Sequence, residues 1–389
     1  MIGEKRFLRS IQLRNLLSFG PDTPELELKS LNVLIGPNGS GKSNLIDAIS
    51  LLQAAPRDLW EPIRTGGGVV EWLWKGPGKD RIAEVEAWTL SPSGDDLLHQ
   101  LKFTVISQRP ELVGEAIGES EFAWFYRNLD GSAEIRSWAG GSAFMAQLDR
   151  KDFNANQSIL SQRKDPDGYP ELTFLGAEYG RLSLFREWHP GRSASLRKPQ
   201  PTDLSSDFLQ EDAANLALVL NDLEARGLKE TIVEKLKSAD ESITGFTTRV
   251  LGGTIQLALR HAGLREAISA TRLSDGTIRY LCLVAILCHP EPPPLVCLEE
   301  PELGLHPDLI VELADLLVEA SHRMQLIVTT HSDILVDALT KVPEAVVVCE
   351  KENGSTRMNR LNADELSGWL KDYGLGQIWR RGEIGGNRW

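Results

Sequence analysis

The chain has 389 residues, 41% of them apolar and 25% charged, with a formal net charge of −13. That balance is ordinary for a globular protein long enough for more than one lobe, and it counts against a generally DNA-coating one while leaving room for a local basic groove. No apolar run approaches the roughly 20 residues that cross a bilayer, and Met1-Ile2-Gly3-Glu4-Lys5-Arg6-Phe7 has no signal-peptide core, so a cytoplasmic location is expected.

From the N-terminus, Leu8-Arg9-Ser10-Ile11-Gln12-Leu13-Arg14-Asn15-Leu16 and Leu26-Glu27-Leu28 alternate polar and apolar, which predicts two strands joined at Gly20-Pro21. The run Leu31-Asn32-Val33-Leu34-Ile35 predicts a buried strand, and Asn44-Leu45-Ile46-Asp47-Ala48-Ile49 predicts a helix. Between them, Gly36-Pro37-Asn38-Gly39-Ser40-Gly41-Lys42-Ser43 fits the phosphate-loop pattern G-x-x-x-x-G-K-[ST] without a mismatch. Glycines let backbone N–H groups wrap a phosphate, and the helix N-terminus adds the positive end of its dipole. Lys42 is expected to reach the β- and γ-phosphates, and the Ser43 hydroxyl to ligate Mg²⁺. Gly36, Asn38, Gly39, Ser40, Gly41, Lys42, Ser43 and Asn44 are therefore the candidate nucleotide-binding residues, with a nucleoside triphosphate and Mg²⁺ as ligands. A chance glycine-rich turn is the bland alternative, and the complete match with correct flanks weighs against it.

Residues 57–80 read as irregular, and strands are expected over 82–90, 98–106 and 122–126. Residues 150–205 are rich in loop-forming Ser, Pro and Gly, helical periodicity covers 207–223 and 228–237, and a strand pair is expected near 254–259. Trp60, Trp72, Trp74, Trp88, Trp124, Trp138 and Trp188, with Arg127, Arg181, Arg186, Arg192, Arg197 and Lys198, offer a stacking surface for nucleic acid. The favoured reading is a tryptophan-filled core with scattered solvated cations. Gln53 and Gln108 are candidates for a nucleotide-coupling glutamine, and each reads better as an ordinary surface residue.

The last third alternates helix and strand: helix 276–288, strand 295–298, helix 307–322, strand 326–330, helix 332–339 and strand 345–349, with an Asn353-Gly354 hairpin turn. That alternation signals a parallel sheet flanked by helices. Leu295-Val296-Cys297-Leu298 runs into Glu299 and Glu300, so a buried strand delivers adjacent carboxylates at a sheet edge. One carboxylate can hold Mg²⁺ and the next can polarise water. Arg272-Leu273-Ser274-Asp275-Gly276-Thr277 is a serine-capped helix start, and Thr329-Thr330-His331-Ser332 places a histidine just past a strand. Cys282, Cys288, Cys297 and Cys349 lie in apolar segments without a C-x-x-C pair and read as buried thiols.

Taken in order, the phosphate loop, Leu273-Ser274-Asp275-Gly276-Thr277, Glu299-Glu300-Pro301-Glu302, Gly304-Leu305-His306-Pro307 and Thr330-His331-Ser332 resemble the ABC/SMC superfamily of ATPases, more narrowly its RecF/OLD-like prokaryotic branch. Asp275 and Thr277 depart from the L-S-G-G-Q signature, and Glu299 stands where Asp is usual. The tail from Gly374 through Gly386 is similar to the tails of the same compact ATPases. The resemblance implies an α/β P-loop fold with a mixed sheet, flanking helices, a β lobe and a helical insertion. The expected divisions are an N-terminal ATPase part (1–56), a β-rich lobe (57–150), a loop-rich and helical insertion (151–265) and a C-terminal ATPase part (266–389). It also implies a homodimer, or a higher oligomer, closed head to tail around ATP. Lys42 acts in cis, Ser274, Asp275 and Gly276 in trans, Glu300 as base, His331 on the γ-phosphate, and Ser43 with Glu299 on Mg²⁺.

The expected function is an ATP-hydrolysing switch serving DNA repair or anti-phage defence with a separate effector such as a nuclease. DNA is a further candidate partner and no membrane is expected. A slow-hydrolysing scaffold that gates a partner is the alternative, with a transporter subunit behind it.

Overall fold

In the computed structural model, which describes residues 6–77, 81–119, 123–127, 132–139, 142–149, 151–187, 191–192 and 194–386, the N-terminal period-two pattern becomes an antiparallel sheet. Its eight strands run in the order Leu26–Glu27, Leu8–Arg14, Ala83–Leu90, Asp96–Ile106, Arg109–Gly118, Ala123–Arg127, Ala133–Ala139 and Ser142–Leu148. Ala83, Val85 and Ala87 face inward while Glu84, Glu86 and Trp88 face outward, as strict alternation requires. Trp60, Trp72 and Trp124 are buried, and the Trp60 ring meets Phe103 edge-on at 5.7 Å, so these tryptophans are core. The side chain of Trp138 and all of Trp188 fall outside the described residues.

The chain forms two units. The first contains residues 1–182, 344–362 and 382–389; the second contains 183–343 and 363–381. In the first unit the fully buried strand Leu31–Ile35 pairs in parallel with Val346–Glu352, and Val346–Glu352 folds back on Ser355–Arg360. The hairpin between these last two has Asn353 at φ 50° and Gly354 at φ 85°, the left-handed pair a tight two-residue turn demands. Residues 57–80 hold two short helices, Glu61–Thr65 and Val69–Trp72, where an irregular stretch was expected. Pro62 and Glu61 favour the first turn, and Gly66-Gly67-Gly68 separates the two. The loop-rich segment likewise contains a helix, Pro170–Gly180, whose buried Leu172, Leu175, Gly176 and Tyr179 recur at helical spacing.

The second unit has three parallel strands, Ser183–Phe185, Leu295–Glu299 and Gln325–Thr329, with Leu184 beside Cys297 and Cys297 beside Ile327. Helices Asp275–Leu287 and Pro307–Ala320 accompany them, and an antiparallel pair, Ile243–Leu251 with Thr254–His261, forms a second sheet. The helix expected over 207–223 begins only at Leu216. The Asn215 side chain donates to the Ser205 and Phe208 carbonyls at 2.7 and 2.8 Å and accepts from the Gln210 N–H at 2.9 Å. Those bonds satisfy the preceding backbone without a helix. Trp379 is buried in its own unit, whereas Trp369 stays 41% exposed beside Tyr373; Trp389 lies outside the described residues. Among the described residues no helix is long and apolar enough to cross a membrane.

Candidate nucleotide site

The phosphate loop leaves the buried strand Leu31–Ile35 and enters the helix Lys42–Ala54. Two of its glycines are required by their surroundings. Gly36 has φ 146°, and a Cβ there would run into the Cys349 carbonyl oxygen of the neighbouring strand. Gly41 has φ 103°, and a Cβ there would collide with the Thr356 and Ser18 hydroxyls. The buried Lys42 ammonium donates to the Gly36 carbonyl at 2.8 Å and the Pro37 carbonyl at 3.1 Å, which fixes the loop's curvature. Asn38, Gly39 and Ser43 are exposed, so the cradle's outer rim and the first hydroxyl of the helix are open to a ligand. Ser40 is buried, and its Oγ has no hydrogen-bond partner among the described residues.

What holds this loop came from residues no motif contains. Thr356, fully buried on Ser355–Arg360, lies 2.8 Å from the Ser40 carbonyl and 2.7 Å from the Ser18 hydroxyl, and the Asn44 amide donates to Ser18 at 2.7 Å. The Thr356 hydroxyl donates toward both the Ser40 carbonyl and the Ser18 hydroxyl, and the Asn44 amide donates to that same Ser18 hydroxyl. Asn44 thus spends its amide on the loop's support. Of the glutamines considered, Gln53 donates to the Leu182 carbonyl at 2.7 Å, and Gln108 is exposed at φ 65° in a strand turn.

In the second unit, Glu299 ends its strand and Glu300 steps off it with a left-handed backbone, φ 44°. A non-glycine residue there costs on the order of 1–3 kcal/mol. The Glu300 N–H offsets this by donating to the Thr329 carbonyl and hydroxyl oxygens at 3.0 and 3.2 Å. The same turn carries the Glu300 carboxylate to 3.6 Å from His331 Nε2, so the expected base and the expected γ-phosphate reader are brought together. Glu299 is met by the Arg186 guanidinium at 3.5 Å, an ion pair that sequence reasoning left among scattered surface cations. Glu302 is buried, accepting from the Thr330 hydroxyl at 2.5 Å and the His331 N–H at 3.2 Å. Burial pushes its carboxyl above the usual carboxylate range, against the lowering effect of those hydrogen bonds.

The signature segment is also part of this unit. Ser274 caps the helix Asp275–Leu287 by accepting from the Thr277 N–H at 3.0 Å, and it remains exposed. Asp275 pairs with Arg197, whose buried guanidinium also donates to the Ala270 and Leu273 carbonyls at 3.0 and 2.7 Å. Arg197 is therefore a clamp under the signature turn, not a solvated cation. A Cβ on Gly276 would come within 2.8 Å of the Gly304 carbonyl oxygen, so the helix start sits tight on the loop that follows the carboxylates.

All four cysteines are buried free thiols. Among the described residues no group of three or more His, Cys, Asp or Glu forms a metal cage.

A glycine cradle at a strand–helix turn, a capped signature helix and a carboxylate–histidine pair beyond parallel strands define a P-loop ATPase of the ABC/SMC type. The model of the family described as "AAA domain, putative AbiEii toxin, Type IV TA system" matches residues 31–86 and 141–337, and the chain belongs to that family. Among solved structures it is similar to the SmcHead bound to the C-winged helix domain of ScpA, with 14% identity, TM-score 0.59 and coverage of 92% of this chain and 99% of that one. It is also similar to the Smc head domain with an extended coiled coil bound to the C-terminal domain of ScpA derived from Pyrococcus furiosus, with 14% identity, TM-score 0.53 and coverage of 94% and 99%. A Smc head domain with a coiled coil and joint derived from Pyrococcus yayanosii gives 12% identity, TM-score 0.51 and coverage of 94% and 99%. These likenesses establish the fold. A comparison with curated proteins gives no match.

Proposed function

We propose that this chain is an ATP-hydrolysing switch that closes head to tail on a second copy and passes its nucleotide state to a separate effector protein. The observation that carries the reading is the 3.6 Å approach of Glu300 to His331, a base and a γ-phosphate reader set on adjoining strand ends. In the first unit the loop N–H groups and Lys42 hold the phosphates, and Asn38, Gly39 and Ser43 line the open rim. In the second, Glu300 takes a proton from the attacking water and His331 donates to the γ-phosphate. Ser43 and Glu299 are the residues that would hold Mg²⁺, which would neutralise phosphate charge when bound. Ser274, Asp275 and Gly276 serve the nucleotide of the other copy, the exposed Ser274 cap and helix N-terminus suiting an anion. The setting is DNA repair or anti-phage defence, with a separate effector such as a nuclease; the family's description names a toxin and a Type IV TA system.

The test is turnover combined with solution mass. Lys42→Ala should weaken ATP binding, because it removes both the phosphate contact and the cation that curls the loop. Glu300→Gln should bind ATP, barely hydrolyse it, and run as a dimer in ATP–Mg²⁺ by light scattering. Wild-type turnover in Glu300→Gln would remove it from the base role. A chain that stays monomeric with ATP in that variant would sink the closing mechanism.

A further inference from the structure

Glu299 ends the strand Leu295–Glu299 and Glu300 follows it, but the third carboxylate, Glu302, is the one placed inside the protein. Its Oε1 accepts from the Thr330 hydroxyl at 2.5 Å and from the His331 N–H at 3.2 Å. Its Oε2 is buried with no hydrogen-bond partner among the described residues. A carboxyl group in such a place is costly unless its one engaged oxygen does something the fold needs.

The Thr330 hydroxyl shows what that is. While giving its proton to Glu302, it accepts from the Ser332 N–H at 2.9 Å, and the Ser332 hydroxyl in turn caps the helix Asp333–Ala338 at Leu335 N, 3.2 Å away. His331 therefore sits between two residues whose positions are set through one buried acceptor, and its own N–H goes to that same oxygen. Three residues before Glu302, the strand ends and Glu300 is tied to Thr329. The segments 300–302 and 329–332 are thus cross-linked at both ends, with the Glu300–His331 approach of 3.6 Å in the middle. A hydrophobic residue at 302 would fill the same space but leave the Thr330 hydroxyl and the His331 N–H without their acceptor.

We propose that Glu302 is a positioning residue: its buried Oε1 holds the Thr330–His331 peptide so that His331 stays aligned with Glu300. It touches neither nucleotide nor water itself. The inference rests on the hydrolysis reading above, in which Glu300 and His331 act on the γ-phosphate.

Steady-state ATP turnover of the full chain, read as kcat and KM separately beside ATP binding and thermal unfolding, tests this. Glu302→Ala should lower kcat by about 10- to 100-fold, the cost of a small misplacement at a reacting centre, with KM for ATP and ATP affinity within about threefold of wild type. Glu302→Gln keeps an acceptor oxygen at Oε1 and should recover most of the lost turnover. Thr330→Ser should outperform Thr330→Val in the same way, because only serine retains the hydroxyl. A Glu302→Ala enzyme that turns over within twofold of wild type overturns the inference. So does a Glu302→Gln enzyme as slow as Glu302→Ala, and so does a loss that follows ATP affinity or melting temperature instead of kcat. Glu300→Gln run in parallel separates the two levels. If it hydrolyses like wild type, the parent reading fails and this one with it; if it is inert while Glu302→Ala is fast, only the positioning role fails.

Discussion

Replacing Thr356 by valine removes one hydroxyl while keeping the β-branched shape of a fully buried strand residue, so no cavity complicates the outcome. In the native protein that hydroxyl gives its proton to the Ser40 carbonyl at 2.8 Å and lies 2.7 Å from the Ser18 hydroxyl. The Thr356 N–H to Ser18 carbonyl bond at 2.8 Å survives the change, and the half-buried Ser18 side chain can turn to water. The loss therefore concentrates on the carbonyl of Ser40, a residue 1% exposed. An orphaned buried acceptor costs about 1–3 kcal/mol. If that free energy appears as a less populated phosphate-loop conformation, ATP affinity should fall by roughly 5- to 150-fold, since 1.4 kcal/mol is about tenfold. Calorimetric titration of ATP with Mg²⁺, paired with thermal unfolding, reads both quantities. Thr356→Ser, which keeps the hydroxyl, should bind close to wild type. Valine binding ATP within twofold of wild type would refute the argument, and so would a lowered melting temperature with affinity intact, because the hydroxyl would then serve the fold and not the loop.

Arg197→Ala should destabilise the second unit by about 1–3 kcal/mol, mostly through the Leu273 carbonyl that loses this donor, since the Ala270 carbonyl keeps the Leu273 N–H at 3.4 Å and the Asp275 partner is largely exposed, so its ion pair is screened. Arg197→Lys should rescue little, because one ammonium cannot reproduce the guanidinium fork; denaturant melts of the three proteins decide it. The four buried thiols should resist alkylation in the native protein and react only after unfolding, with mass spectrometry counting the adducts. Burial pushes Cys282 and Cys349 up to about 12. Folding therefore keeps protons that the unfolded chain releases, and stability should be complete below pH ~9 and fall as pH rises from there toward ~12. Stability that stays flat through that alkaline window would contradict the burial argument.

The parts of the site that could be read from sequence are those written in consecutive residues. The phosphate loop is legible because its glycines, Lys42 and the Ser43 hydroxyl all lie within Gly36–Ser43, between a strand and a helix that announce themselves by periodicity. The strand that ends in Glu299 is legible for the same reason. The supports are not, because they are made across sequence: Thr356 meets Ser18 from 338 positions away, Arg186 meets Glu299 from 113, and Arg197 meets Asp275 from 78. Arginines spread along a loop-rich stretch look identical whether they are solvated or clamped under a turn, and only the fold separates Arg197 from its neighbours. The overextended helix at 207–215 has a related origin. Its apolar spacing is real, yet Asn215 offers that backbone a competing set of hydrogen bonds, and one side chain outweighs several weak propensities.

Glu300 is where local rules and the fold disagree most. Its φ of 44° suits glycine or asparagine, and a β strand that must turn sharply would be relieved by either. Glycine there would lose the carboxylate that faces His331, and asparagine is shorter by one methylene than the 3.6 Å approach uses. The strain is tolerated because the neighbouring strand end supplies two acceptors to the Glu300 N–H, and Glu302 locks the far side of the same turn. A backbone held against its preference at one carboxylate, with a second carboxylate buried to hold it, is the signature of a geometry kept for chemistry. By the same logic the first unit spends its strain on the phosphate loop, where Gly36 and Gly41 supply the left-handed turns and Thr356 supplies the lock.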